Sequence, residues 1–169
     1  VFISNSQWTL VEINIFSNNA ASNGGAVFAS ADKNTTFNNN FFYNSTLYNG
    51  SGAAIYINDS QNTLITNNWF EGIITGTGNN SMIQLENSTG STLGLEIIGN
   101  ILIGNNTATG IYGIYEGAII ANHSILNNGM RTTHFQYLYH DSINGPTNNI
   151  SALNDIVYSG ATFASGNYD

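Results

Sequence analysis

The stretch Asn40-Phe41-Phe42-Tyr43-Asn44 decides the fold, because it returns along the chain. A polar residue, two large apolar residues, a free position and then Asn, Gly or Ser recur as Asn14-Ile15-Phe16-Ser17-Asn18, Asn68-Trp69-Phe70-Glu71-Gly72 and Asn100-Ile101-Leu102-Ile103-Gly104. Ser124-Ile125-Leu126-Asn127-Asn128 and Asp155-Ile156-Val157-Tyr158-Ser159 extend the column, at steps of 24 to 32 residues. A second apolar stretch follows each member: Val27-Phe28, Ile55-Tyr56-Ile57, Ile83-Gln84-Leu85, Ile114-Tyr115 and Tyr137-Leu138-Tyr139. A shorter third stretch precedes it, as Leu10-Val11, Thr36-Phe37, Leu64-Ile65 and Ile120-Ala121. Two or three short strands per unit of about 28 residues, without a helical period, is the pattern of a β-solenoid. The expectation is an all-β parallel β-helix of about six coils, each adding about 4.8 Å along the axis. Equivalent side chains then stack. Asn14, Asn40, Asn68 and Asn100 are expected to form an asparagine ladder, each amide bonding the next.

Both ends of the chain fall inside a repeat unit. Val1-Phe2-Ile3-Ser4 matches Ile55-Tyr56-Ile57-Asn58, and Ala161-Thr162-Phe163-Ala164-Ser165 echoes Ala26-Val27-Phe28-Ala29-Ser30. Residues 1–169 therefore read as a single solenoid domain with both ends uncapped. It is either a fragment of a longer chain or a subunit that stacks end to end. An antiparallel sandwich is the minority reading. Its Asn-Gly turns (Asn49-Gly50, Asn128-Gly129, Asn144-Gly145) do not recur at a fixed place in the repeat.

Composition removes several functions. Charged residues make up 7% and the net charge is −8, with Lys33 and Arg131 the only Lys or Arg. Nucleic acid needs a basic stripe, and an anionic membrane surface needs basic clusters, so neither is an expected partner. With no cysteine, disulfides and thiolate metal sites are excluded. No apolar run is long enough for a transmembrane helix, so no membrane insertion is expected of this segment.

The candidate chemistry is thin. Asp32, Asp59 and Glu86 follow the second stretch at steps of 27 residues, and stacked on one edge they would suit a Ca²⁺ ion. A solvated turn is the competing reading, since the acids are offset from the apolar columns. Arg131, His134 and His140 are candidate carbohydrate contacts, against a merely polar strand. Nine N-x-[ST] acceptors (Asn34, Asn44, Asn49, Asn58, Asn79, Asn87, Asn105, Asn122 and Asn149) exceed the roughly 5.5 that chance placement gives. They are candidate sites for N-linked glycans, with Asn44 also able to take a buried ladder position. Thr9, Thr35 and Thr63 make one rank of threonines, too thin for an ice-binding face. The ten acids scatter over different columns and no Ser/His/Asp constellation is visible, so no catalytic residue is assigned and no enzyme is expected.

Phe16-Ser17-Asn18-Asn19 followed by Gly24-Gly25-Ala26-Val27 resembles the polymorphic outer membrane protein repeat, with its F-x-x-N and G-G-A-[ILV] elements. F-x-x-N recurs from Phe37 to Asn40 and from Phe41 to Asn44, and the second element weakens to Gly52-Ala53-Ala54-Ile55. The pattern is also similar to the Asn-rich adhesin-like surface proteins of some methanogenic archaea, and to right-handed parallel β-helix repeats at large. The close match spans residues 9 to 72. The resemblance implies a right-handed, surface-exposed, non-enzymatic β-helix in adhesion or the cell envelope. Its expected location is extracellular, and its expected partners are other copies of itself, in a filament or sheath, and host or cell-wall glycans. The same fold resembles that of pectate lyases, polygalacturonases and phage tailspikes, so a carbohydrate-active enzyme or carbohydrate-binding β-helix is the alternative.

Overall fold

The computed structural model describes residues 1–48, 52–75, 81–86, 92–93, 96–104, 111–116, 120–126, 129–131, 135–140, 148–153 and 156–158. All regular structure there is β, and every strand pairing is parallel. The strands form three main sheets, and the chain visits them in turn. The first sheet is Phe2–Ser4, Val27–Ser30, Ile55–Asn58, Ser81–Glu86, Ile111–Glu116 and Phe135–His140, in that spatial order. The second carries Leu10–Glu12, Thr36–Asn38, Leu64–Thr66, Glu96–Ile98, Ile120–Leu126 and Asn148–Leu153, with Thr92–Leu93 beside Ile120–Leu126. The third carries Ile15–Ser17, Phe41–Tyr43, Trp69–Thr75, Ile101–Gly104, Gly129–Arg131 and Ile156–Tyr158. Six passes of the chain thus lay one strand each on three sheets. A short fourth ladder joins Ala20–Ala21, Thr46–Leu47 and the end of Trp69–Thr75.

Burial alternates along strands such as Val27–Ser30, Thr36–Asn38 and Leu64–Thr66, as a pleated strand with one face inward requires, whereas Ile55–Asn58 and Ser81–Glu86 are buried nearly throughout. Val27 and Ala29 are buried while Phe28 and Ser30 are half-buried. The interior is filled by like residues stacked in columns. Phe42 lies between Phe16 and Phe70, with centroids 4.8 Å from each ring and tilts of 7° and 4°. Val27, Ile55 and Ile83 share another buried column, and the strand register continues from it to Ile114 and Leu138. Phe37, Phe42, Phe70, Ile55, Ile57, Ile65, Met82, Ile83 and Leu85 are fully buried.

The paired apolar residues of the sequence column divide between the two faces. Phe42, Phe70 and Leu102 are buried, whereas Ile15, Trp69 and Ile101 are exposed. One expectation changes as a result. Ser124-Ile125-Leu126 belongs to the second sheet, where it pairs Glu96-Ile97-Ile98. The fifth member of the third-sheet column is Gly129-Met130-Arg131, in register with Ile101-Leu102-Ile103. The first apolar position points outward in the earlier passes, so a glycine can hold it. The steps from Ile15 through Phe41, Trp69, Ile101 and Gly129 to Ile156 become 26, 28, 32, 28 and 27 residues. Ile120-Ala121 is the start of the long fifth strand on the second sheet, not the register partner of Leu64-Ile65.

Corners between strands are made by single residues in the left-handed region. They stack as Asn5, Ala31 and Asp59; Trp8, Asn34 and Asn62; Ile13, Asn39, Asn67 and Gly99; and Asn18, Asn44 and Gly72. Asparagine tolerates this conformation better than other side chains. Corner duty, as well as laddering, accounts for the asparagine richness. The G-G-A element has the same kind of cause. Gly24 has φ +59, and a Cβ on Gly25 would run into the carbonyl oxygen of Ala53 in the next pass. Gly52, at φ +67, repeats the first requirement one pass later.

Candidate functional site

The most ordered polar arrangement runs along the stack at the start of the third sheet. Asn14 donates its backbone N–H (3.0 Å) and its Nδ2 (3.2 Å) to Oδ1 of Asn40. Asn40 does the same to Asn68 at 2.9 and 3.0 Å, and Asn68 to Asn100 at 2.9 and 3.0 Å. The second amide hydrogen reaches back to the preceding pass: Asn40 to the Val11 carbonyl, Asn68 to that of Phe37, Asn100 to that of Ile65. Asn40, Asn68 and Asn100 are buried, so these groups satisfy one another away from water.

A second polar column holds Ser6, Asp32 and Ser60. Ser6 donates its N–H to Oδ1 of Asp32 (2.9 Å), and Asp32 donates its N–H to Oγ of Ser60 (3.3 Å). Asp32 is buried and its Oδ2 has no hydrogen-bond partner. Burial pushes its carboxyl above the usual value of 3.8, although backbone hydrogen bonds with Ser6 and Ser30 pull the other way. A raised folded-state value means that the stability associated with the protonated acid is present below 3.8 and lost as pH rises through the folded value. The expected result for Asp32→Asn is a gain of about 1–2 kcal/mol at pH 7, because the substitution removes a desolvated charge from a buried position. The gain shrinks toward pH 3.8, and urea melts of both proteins across pH measure it.

Asp32, Asp59 and Glu86 do not share a column. Asp32 aligns with Ser60, Asp59 with Ala31, and Glu86 with Asn58. The 27-residue step differs from the 28-residue register here, so the three acids drift by one position per pass. Glu86 instead accepts from the Tyr56 hydroxyl (2.6 Å) and Gln84 Nε2 (2.8 Å), and Ser81 donates to Gln84 Oε1 (2.7 Å). Burial first, and then the Glu86 carboxylate, push the Tyr56 phenol well above its ordinary value of 10.0. Among the described residues no group of three His, Cys, Asp or Glu could hold a metal ion.

The other candidates are dispersed. Arg131 lies on the third sheet opposite Tyr158, and His140 ends a first-sheet strand opposite Glu116. His134 lies outside the described residues. Of the sequon asparagines, Asn34 is a half-buried corner whose Oδ1 accepts from Asn62 (3.0 Å). Asn44 is a half-buried corner rather than a ladder rung. Asn58 donates to Asp59 (3.1 Å), and its sequon Ser60 is buried. Asn122 and Asn149 fall at neighbouring positions of two paired second-sheet strands. Asn49, Asn79, Asn87 and Asn105 lie outside the described residues. Thr35 and Thr63 are buried, so the threonine rank is not an exposed face.

Sequence reasoning missed the two apolar residues that hold corners in the first pass. Trp8 and Ile13, with φ of 60 and 55, stand in corner columns that carry asparagine in the second and third passes. Left-handed backbone costs such residues roughly 1–2 kcal/mol each. Yet Trp8 is 78% and Ile13 77% exposed, so no internal burial offsets that strain. Val1, Phe2, Leu10 and Ile15 are exposed beside them. A groove of about 470 Å³ opens at the same end, lined by Phe2, Phe28, Asn19, Asn23, Gly24 and Gly25 among others. The available signal was apolar residues breaking two asparagine columns. Compared with family models, curated proteins and solved structures, the chain matches none.

Proposed function

We propose that the three sheets close into a right-handed parallel β-helix that serves as a non-enzymatic, extracellular structural or adhesive element of a cell surface. The observation that carries this reading is the Asn14–Asn40–Asn68–Asn100 ladder, in which buried polar groups are directed from pass to pass rather than toward a cleft. The aromatic columns support it as well. The rings of Phe2, Phe28 and Tyr56 stack at 5.4 and 5.0 Å, so their faces cover one another instead of offering platforms to a sugar. That favours a scaffold over the carbohydrate-active alternative. Low charge and stacked hydrogen bonds suit a rod that grows by neighbour contacts. In this reading the sequons at the corners carry N-linked glycans that point away from the stack.

The test is location together with mass. Antibody against the chain should label intact cells of the source organism, and enzymatic deglycosylation should lower the mass of the native polypeptide. Labelling only after permeabilisation, with no mass change, would contradict the proposal.

A further inference from the structure

We propose that Asn34 carries an N-linked glycan whose first sugar ring rests in a groove on the side of the stack, between Trp8 and Glu96. The inference rests on the reading above and says which sequon is modified and what holds the sugar.

The register builds the groove. Trp8, Asn34 and Asn62 form one corner column, each in the left-handed region. Thr36, Leu64 and Glu96 are register partners at the first position of their second-sheet strands. The residues that follow them, Phe37, Ile65 and Ile97, are buried, so this column faces outward. These six residues, with Thr63, line a groove of about 370 Å³ between the two columns. It lies along the side of the stack, and its volume is within the ~300–1,000 Å³ of sites that hold small organic molecules.

The lining suits a sugar ring. The Trp8 indole supplies a flat apolar face. The Thr36 hydroxyl, the Asn62 amide and the Glu96 carboxylate supply donors and acceptors for sugar hydroxyls. None of the lining residues is positively charged, so an anionic ligand would find no counter-charge there. Trp8 also holds φ 60 where the next two passes use asparagine, and strained backbone of that kind collects at binding sites.

Asn34 places an attachment point in the same wall. Asn34-Thr35-Thr36 is a sequon. Oδ1 of Asn34 accepts from Asn62 Nδ2 at 3.0 Å, and among the described residues its own Nδ2 donates no hydrogen bond. The amide is held through its oxygen, and its nitrogen is left for the glycosidic bond. The sequon asparagines of the same passes differ. Asn58 commits its Nδ2 to Asp59 at 3.1 Å. Asn44 packs its Oδ1 against Gly72, where an added Cβ has no room. Neither lines this groove.

The sugar donor is a lipid-phosphate-linked oligosaccharide. Nδ2 bonds C1 of the sugar, the C1–O bond breaks, its electron pair leaves with the lipid phosphate, and the displaced amide proton passes to solvent. The Asn62 bond to Oδ1 survives, because only the nitrogen is changed. Asn34 and Thr36 donate their N–H groups to neighbouring passes at 2.9 and 2.8 Å, so transfer precedes folding of this corner. Beyond its first ring the glycan leaves the stack sideways.

The test starts from the native polypeptide of the source organism, in which glycopeptide mass spectrometry should find Asn34 occupied. Removal of the glycan should shift Trp8 emission to the red and increase its quenching by acrylamide. Trp8 and Trp69 are the only tryptophans, so a Trp69→Phe background isolates the signal. Asn34→Gln, which cannot be modified, should show the same red-shifted emission. Trp8→Asn, which installs the residue of the next two passes, should leave occupancy unchanged while enzymatic release from the folded protein becomes several-fold faster. Two results would overturn the proposal. One is a bare Asn34 in a chain whose other sequons carry sugar, whether or not the groove then takes a free saccharide. The other is an occupied Asn34 whose glycan can be removed without any change in Trp8 emission or quenching. A chain with no sugar at any sequon would overturn it together with the glycosylated, extracellular reading beneath it.

Discussion

Asn68→Ala is expected to lower unfolding stability by about 3–5 kcal/mol, far more than any exposed asparagine substitution in the chain. The magnitude follows from the groups left behind. Oδ1 of Asn68 accepts the backbone N–H and Nδ2 of Asn40, at 2.9 and 3.0 Å. Its Nδ2 serves the Phe37 carbonyl and Oδ1 of Asn100, both at 3.0 Å. Four buried partners lose a bond at once, and an unsatisfied buried donor or acceptor costs about 1–3 kcal/mol. Some of that is recovered where neighbours share the remaining bonds, which keeps the total below a simple sum. Asn14→Ala is the control, since Asn14 is exposed and bonds on one side only. It should cost less than about 1 kcal/mol. Urea unfolding of both variants with an unchanged slope checks the comparison. Equal losses would mean that the ladder does not stabilise the stack.

Phe42→Ala should cost about 4–5 kcal/mol, the upper range for truncating a buried aromatic. The ring is fully buried between two others, so the surrounding columns cannot collapse into the space without losing their own stacking. Phe41→Ala makes the informative contrast. Phe41 faces outward, where it meets Tyr43 and Trp69 at centroid distances of 5.9 and 6.5 Å. It should cost about 1 kcal/mol or less. The two residues are adjacent and chemically identical, so thermal melts of the pair isolate which face the strand turns inward. Similar losses would contradict the assigned register.

The apolar columns were legible in the sequence because stacking places like on like. Each inward position must fill the same slice of core in every pass, so Phe16, Phe42, Phe70 and Leu102 recur at near-constant spacing. The fifth member escaped for the complementary reason. Outward positions carry no packing demand, and Gly129 looks nothing like Trp69 although it holds the same place. Insertions at the corners also vary the step, and Ser124-Ile125-Leu126 imitates the motif one sheet early. Asparagine was readable as a ladder residue at 14, 40, 68 and 100. Its second duty at the corners depends on backbone dihedrals that no spacing reveals. The site was less legible than the fold. Ser6, Asp32 and Ser60 make a column of unlike residues, and only the register shows that Asp32 is buried beside two serines rather than stacked with Asp59 and Glu86. Trp8 and Ile13 resemble ordinary core residues until the structure places them at corners, strained and facing solvent.

The most direct measurement is disulfide formation between engineered cysteines, in a chain that has none of its own. Asn38 and Thr66 are register partners on neighbouring second-sheet strands, half-buried, with an existing hydrogen bond of 3.0 Å between their side chains. Parallel neighbours stand about 4.8 Å apart, within the span a disulfide bridges. The double variant Asn38→Cys with Thr66→Cys should oxidise rapidly and within one molecule. Asn38→Cys with Leu64→Cys, two residues out of register and about 8 Å apart, should not. The opposite preference, or no preference, would contradict the stacked parallel register on which the whole account stands.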